Sequence, residues 1–174
     1  MWYNRRMSSV LKFSFILLGI ALAFVVAIVP SLQKIKEAES KAQVVIGEQI
    51  IIAEIAKTPG EKERGLSGVS YLRVNDGMLF IFDEKDYHSL WMKGMKIPID
   101  IIWISGDEIV GFEEYVMPEL DNGISELTIY KPQVPVDKIL EVRAGRVKLL
   151  NAKAGDKVEI RPIIPKENYT ETQY

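Results

Sequence analysis

The stretch IPIDIIWI, residues 97–104, is apolar at every position except Asp100. Isoleucine and tryptophan favour extended backbone, and a run that is apolar on both alternating faces is typical of a strand buried on both sides. Asp100 shares one face with Ile102 and Ile104, because side chains two residues apart point the same way along a strand. A carboxylate in such a strand needs a partner or a ligand, since an unpaired buried charge is costly.

Similar short apolar runs lie on both sides of this strand, and turn residues such as SGD, residues 105–107, separate them. The other predicted strands are VVI (44–46), QIIIAEIA (49–56), GMLFIF (77–82), HSLWMK (88–93), EIVGFEEYV (108–116), KILEV (138–142) and KVEIR (157–161). About seven strands with one or two short helices predict a mainly-β domain, folded as a compact β-sandwich or barrel.

Two short helices are indicated between the strands. In TPGE, residues 58–61, a threonine N-cap, a proline at the first helical position and a glutamate three residues after the cap form a capping box. We expect a helix over residues 59–66, with Gly65 as its natural stop. GRVKLLN, residues 145–151, is the second candidate. Residues 117–133, rich in Pro, Gly, Asp and Asn, predict a long loop.

Residues 13–29, FSFILLGIALAFVVAIV, contain no charge and a single polar side chain, Ser14. As a helix they span about 25 Å, which suits a hydrocarbon core of about 30 Å once flanking residues reach the interface. The run is longer than the apolar part of a signal peptide, and no small-x-small cleavage site follows it. We therefore expect one transmembrane helix, retained as a signal anchor.

The basic residues Arg5, Arg6 and Lys12 precede this anchor. They favour a cytoplasmic N-terminal tail, residues 1–12, and a C-terminal domain outside the cytoplasm. The sequence thus predicts a single-pass membrane protein. The segments expected after the anchor are a stalk (30–43), a β domain (44–161) and a disordered tail (162–174).

Composition excludes several classes of function. The formal net charge of -2 argues against nucleic acid as a partner, because such proteins present a basic face to the phosphates. The chain has no cysteine, which removes disulfides, iron–sulfur clusters and thiolate zinc sites. The single histidine, His88, excludes clustered-imidazole metal sites. We expect neither a metal nor another cofactor.

The candidate ligand-binding residues are an aromatic, a lysine and two carboxylates that interrupt apolar strands. Trp91 and Lys93 share a face of their predicted strand, and Glu141 breaks ILEV as Asp100 breaks IPIDIIWI. We hypothesise that Lys93, Asp100 and Glu141 gather at one rim of the barrel. They would form either a structural ion network or the lining of a pocket floored by Trp91 or Trp103.

Two other site types are less favoured. His88, Met92 and Met95 are residue types that bind Cu(I), but His88 and Met92 would stand about 13 Å apart along a strand. Core packing of Leu90 and Met92 is the simpler interpretation. The carboxylates for glycoside chemistry would be Asp83, Glu84 and Asp86, or Glu113 and Glu114. Both sets are typical of solvated surface, and no catalytic residue is assigned.

Five segments, in order, resemble the domain of unknown function 192 family: KERGLSGVSYL, GMLFIF, LWMKGMKIPIDIIWI, ILEVRAG and AGDKV. The resemblance covers about residues 50–160. It implies a small mainly-β protein, often behind a signal peptide or anchor, with no established activity. The chain departs from the family pattern at Ser67 and Val69, where relatives frequently have Met and Arg, and at Gly94-Met95, where they have Asn-Thr.

The sequence favours a non-catalytic binding or accessory module of the cell envelope. Its partner would be a glycan, a peptide or a protein that contacts the Trp91, Lys93 and Asp100 surface. The alternative is a carboxylate-dependent hydrolase acting on an envelope polymer, which requires two carboxylates about 5–10 Å apart.

Overall fold

The computed structural model describes residues 39–119 and 127–163, and before them residues 17, 24, 26, 28–30, 32, 33, 36 and 37. The chain divides into two units. One is Met1–Ala38 with Pro165–Tyr174, and the other is Glu39–Ile164. In the first unit, the described residues are helical and exposed. Over the described part of the chain, no helix is both long and apolar enough to span a bilayer. Most of the expected anchor, residues 13–29, lies outside the described residues.

The described residues of the second unit form seven strands and two short helices. The strands are β1 (Lys41–Ile46), β2 (Gln49–Ala56), β3 (Asp76–Asp86), β4 (Ile99–Ser105), β5 (Glu108–Val116), β6 (Val136–Arg143) and β7 (Val158–Pro162). The helices are α1 (Pro59–Arg64) and α2 (Arg146–Leu150). The prediction of a mainly-β domain with about seven strands and one or two short helices is confirmed.

All seven strands belong to one sheet in the order β5-β4-β6-β3-β2-β1-β7. Neighbours are antiparallel except β2 and β3, which are parallel and joined through α1. The outer strands β5 and β7 approach each other at one end. Ile109 N–H donates to Asp156 O (2.9 Å) and Val158 N–H donates to Asp107 O (2.8 Å). The sheet therefore curls into a partly closed barrel rather than a two-sheet sandwich.

Strand β4 is buried on both faces, as its sequence predicts. Ile102 and Ile104 point into the barrel, where every other strand contributes apolar side chains and α2 contributes Val147. On the outside, Ile101 and Trp103 belong to a second apolar layer. The irregular chain after α1 and between β3 and β4 covers this layer with Leu66, Met92, Met95 and Leu90.

The prediction of a strand over residues 88–93 is wrong. This segment is irregular, and Leu90 makes a single β-bridge, to Tyr130. Both sides of β4 are already occupied by β5 and β6, so no ladder is open beside it for HSLWMK. The segment packs instead as a cover, with Met92 almost fully buried.

The helix predictions are confirmed with small shifts of their ends. Thr58 Oγ1 accepts the Glu61 N–H, and Glu61 Oε2 accepts the Thr58 N–H, so both halves of the capping box form. Helix α1 ends at Arg64 because Gly65 takes a positive φ of 48°. At the domain ends, β1 begins inside the stretch predicted as stalk, and β7 runs to Pro162 inside the predicted tail.

Candidate functional site

A cavity of about 190 Å³ lies on the outer face of the sheet, between the end of α1, strands β3 and β6, and the chain after β3. Glu141 and Phe80 line it from the sheet, and Leu66, Leu90 and Met95 add apolar wall. Trp91, Lys62, Arg64 and Lys93 also line it. The cavity therefore combines an apolar interior with the buried Glu141 carboxyl group, three cationic side chains and the exposed carboxylate of Glu63.

Glu141 is the most unusual group in this cavity. The residue is 5 % exposed, and its Oε2 has no hydrogen-bond partner among the described residues. Strand β6 places it on the outer face together with Ile139, two residues earlier. Burial raises the pKa of Glu141 to about 8, because desolvation disfavours the charged form. At neutral pH the group is therefore mostly a neutral acid, able to donate as well as accept a hydrogen bond.

Gly65 brings the backbone close over this carboxyl group. A Cβ at this position would lie 3.3 Å from Phe80 Cζ and 3.8 Å from Glu141 Oε2. The Gly65 N–H donates to Glu61 O (2.9 Å), so the last turn of α1 fixes the approach. A larger residue at position 65 would be strained by the positive φ and would also crowd the phenylalanine ring.

Two of the cationic side chains that line the cavity, Lys62 and Lys93, lie beside aromatic rings. Trp91 is 41 % exposed, and Lys93 Nζ lies 5.9 Å from the centroid of its ring. Lys62 Nζ lies 4.4 Å from the ring centroid of Phe82, which stacks on the His88 ring at 3.6 Å. These contacts leave the positive charges beside aromatic faces, an arrangement that attracts anionic and ring-shaped ligands.

Asp100 lies on the other face of the sheet from Glu141. In the β4–β6 ladder, Ile101 pairs with Glu141 and Asp100 pairs with Val142, so the two carboxylates point to opposite sides. Asp100 Oδ1 accepts from the N–H groups of Tyr115 (2.9 Å) and Gly145 (3.1 Å), and Oδ2 accepts from Val147 N–H (2.9 Å). The expectation that Lys93, Asp100 and Glu141 gather at one rim is therefore wrong.

The structure does bring Trp91, Lys93 and Glu141 to one cavity. Trp103 is 2 % exposed and belongs to the outer apolar layer, where its ring packs against Gly111; it does not line this cavity. Within the described residues, no group of three or more His, Asp or Glu side chains is placed to hold a metal ion.

A family model matches residues 42–160, which is nearly the whole of the second unit. It is the model of DUF192, a family described as "Uncharacterized ACR". The chain belongs to the DUF192 family. No curated protein matches the chain.

Two solved structures resemble this DUF192 protein. One is a candidate transcription regulator from Sinorhizobium meliloti 1021, with 27% identity and a TM-score of 0.61, covering 69% of this chain and 92% of the other. The second is a protein of unknown function from Novosphingobium aromaticivorans DSM 12444, also 27% identical, with a TM-score of 0.59. That match covers 68% of this chain and 83% of the other.

Two positions at which the sequence resemblance indicates a departure from the family, Ser67 and Gly94, lie beside the cavity. Ser67 and Gly94 face each other, and a Cβ at Gly94 would collide with Ser67 Oγ. The Gly68 N–H donates to Gly94 O (2.9 Å), which fixes the two segments together. A neighbouring cavity of about 400 Å³ is lined by both residues and shares Trp91 and Lys93 with the first. In this DUF192 protein, small residues at both positions leave that space open.

Arg64, Gly65 and Phe80 line the cavity, although the sequence does not indicate any of them as a site residue. The capping box locates the end of α1 at Gly65, and that much is readable from the sequence. What brings this end over β6 is the β3–β6 pairing, in which Phe80 lies opposite Ile139. That pairing joins residues about 60 positions apart in this chain, and no local sequence pattern predicts it.

Proposed function

We propose that this chain is a binding module that takes one ring-sized part of a ligand into the Glu141 cavity. The observation that carries this proposal is the buried Glu141 carboxyl without a hydrogen-bond partner at Oε2. Leaving a buried polar atom unpaired costs stability, so such a group is expected to serve another purpose. A ligand that hydrogen-bonds to it would recover that cost.

The size and lining of the cavity define the class of ligand. A cavity of about 150 Å³ holds benzene, so about 190 Å³ holds one substituted ring. The three cations Lys62, Arg64 and Lys93 outnumber the one exposed carboxylate of the lining, Glu63, and so favour a negative charge on the ligand. Trp91 offers a face for a sugar or aromatic ring. An anionic sugar unit, or the carboxyl end of a peptide, combines these properties.

We place this module at the outer surface of a membrane, as part of the cell envelope. The support is the composition of residues 13–29, which have no charge over 17 residues, and the basic residues that precede them. A domain held there would meet envelope glycans, peptides and proteins. Protease protection of the C-terminal unit in closed vesicles of known orientation tests this placement.

The ligand is tested by thermal shift on the full-length chain in a neutral detergent. The probes are glucuronate and N-acetylmuramate, glucose and N-acetylglucosamine as neutral counterparts, and short peptides with free or amidated carboxyl ends. We expect an anionic probe to raise the melting temperature, and its neutral counterpart to do so less. Glu141→Leu, which removes the hydrogen-bonding group, and Trp91→Ala should reduce the shift.

A matched pair of lysines provides the control. Lys93 lines the cavity, whereas the exposed Lys96 is three residues further along the same segment and does not. We expect Lys93→Ala to weaken binding about five- to tenfold, through loss of one charge contact, and Lys96→Ala to leave it nearly unchanged. Equal effects of the two substitutions would contradict recognition at this cavity.

The second candidate function is hydrolysis with Glu141 as general acid. It is favoured by the raised pKa of Glu141, since a general acid must be protonated near the working pH. Glu63 is the other carboxylate that lines the cavity. Release of product from an envelope glycan, abolished by Glu141→Gln without loss of binding, would establish an enzyme. Binding without turnover would leave the module as proposed.

A further inference from the structure

A second, separate cavity lies at the start of α2. Its volume is about 590 Å³, and three basic side chains line it, namely Arg143, Arg146 and Lys148. None of the described residues that line it is acidic. It is also bordered by Val74, Tyr115 and Leu149, which are 41 %, 57 % and 67 % exposed. The surface is therefore both strongly basic and partly apolar.

Arg146 is the most buried of the three basic residues that line this cavity. The residue is only 4 % exposed, and its Nε has no hydrogen-bond partner among the described residues. Among the described residues, the Arg146 side chain makes one hydrogen bond, from Nη2 to Gln49 Oε1 at 3.3 Å. A guanidinium has five N–H donors, so most of its capacity is unused.

The nearby carboxylate does not neutralise this arginine. Asp100 is committed to the backbone N–H groups of Tyr115, Gly145 and Val147. Burial lowers the pKa of Arg146, because desolvation disfavours the charged form. A buried cation without a counter-ion is costly, and an anion from outside would offset this cost.

The wall of the cavity is held in a fixed and strained form. Tyr115 has a φ of 53°, which is rare outside glycine and costs energy. Its hydroxyl oxygen would lie only 2.7 Å from a Cβ at Gly145, so a side chain at position 145 would displace it. Asp100 binds three backbone N–H groups from two segments, Tyr115 at the end of β5 and Gly145 to Val147 around Arg146, which preorganises the cavity.

We propose that this cavity binds a phosphate group through Arg146, assisted by Arg143 and Lys148. The planar donor fork of arginine matches phosphate oxygens in a bidentate manner. Arg143 and Lys148 are exposed and form no ion pair with a described residue, so both are available at the entrance. The apolar border fits the carbon portion of a phosphate ester.

The test measures binding of inorganic phosphate to the full-length chain by calorimetry, at constant ionic strength set with chloride. We expect Arg146→Gln to weaken binding about tenfold or more. Because a change at a buried residue can impair folding, the second variant is Arg143→Ala/Lys148→Ala, which alters exposed residues only. We expect this double substitution to weaken binding at least about fivefold.

The matched control is Lys57→Ala/Lys131→Ala, which removes the same charge from exposed positions outside this cavity. It should leave the affinity within about twofold. No measurable binding, or an equal loss in the control, would overturn the proposal.

A short-chain phosphatidate, used below its micelle concentration, distinguishes the two sources of a phosphate group. If it binds more tightly than inorganic phosphate and the gain is lost on Leu149→Ala, the site accepts a lipid headgroup. If the two bind equally, it accepts a free phosphate. Both results support a phosphate site, provided that they depend on Arg146 or on the Arg143 and Lys148 pair.

Discussion

Glu141 and Asp100 are buried carboxylates on adjacent strands, in opposite surroundings. Asp100 accepts three backbone N–H groups, whereas Glu141 Oε2 has no partner among the described residues. The sequence predicts that each carboxylate needs a hydrogen-bond partner or a ligand to offset the cost of its burial, because each interrupts an apolar strand. It does not distinguish a carboxylate that holds the backbone from one that faces a cavity, since this depends on which strands become neighbours.

The stability of the fold should depend on pH through Glu141. Its pKa is about 8 in the folded chain against an ordinary value of 4.5. The stabilising contribution is fully present below pH 4.5, and it is lost as the pH rises to about 8, because the unfolded chain ionises first. Relative to Glu141→Gln, the wild type should lose roughly 4 kcal/mol between pH 5 and pH 8.

Urea unfolding of both proteins at pH 5, 6, 7 and 8 measures this difference. All other titrating groups are common to the two proteins, so they cancel. A difference in unfolding free energy that is constant with pH would show that Glu141 is not desolvated.

Asp100→Asn should be strongly destabilising. The amide keeps the shape, but one of its ends can no longer accept a backbone N–H, and the charge that strengthens the remaining bonds is lost. We expect a loss of roughly 3 kcal/mol or more in unfolding free energy. Asp137→Asn is the comparison, because Asp137 is half-buried and accepts a single backbone N–H, from Gly106. A loss no larger than that of Asp137→Asn would argue against the anchoring role of Asp100.

At the scale of elements, the sequence predicts where α1 begins and ends, but it does not predict the conformation of the segment after β3. The capping box is local, so residues 58–61 determine it alone. The alternation of apolar and polar residues in HSLWMK predicts a strand. A strand must pair with another strand that has a free edge, and both edges of β4 are already paired, with β5 and β6. Trp91 and Lys93 are nevertheless neighbours, with Lys93 Nζ 5.9 Å from the centroid of the Trp91 ring. Residues two positions apart stay close in space in an irregular segment as well as in a strand.

Thr58→Ala should loosen α1 and, with it, the cover of the cavity. Loss of the N-cap oxygen is expected to cost about 1 kcal/mol. The Gly65 amide, bonded to Glu61 O at the other end of the helix, should exchange its hydrogen faster. Ser70→Ala, at an exposed position outside the helix, provides the control. Unchanged exchange at Gly65 would show that the cap does not stabilise the helix end.

For the whole molecule, the class and the number of strands could be predicted, but not their order. The runs of β-branched residues identify strands individually. The order requires β6 to insert between β3 and β4, and β7 to pair with β1, which are long-range choices that no local pattern encodes. The resemblance to DUF192 also implies a mainly-β fold for the β domain, whereas the order of its strands is seen only in the structure.

The contact between β5 and β7 should be visible in hydrogen exchange. The amides of Ile109, Gly155 and Val158 bond across it, to Asp156, Ile109 and Asp107 respectively. We expect Ile109 and Val158 to be protected to a degree similar to the amides of β4. Rapid exchange at both residues, with protection in β4, would indicate an open sheet.

The pairing of β1 with β7 also has a consequence for biosynthesis. β1 is the first strand of the sheet and β7 the last, with Val45 opposite Glu159. While a ribosome is still making the chain, β1 can pair with β2, but its other edge lacks its β7 partner until β7 emerges. An unpaired strand edge invites association with other chains. Completion of the fold is therefore expected to be late and cooperative, and nascent chains that stop before Val158 should aggregate.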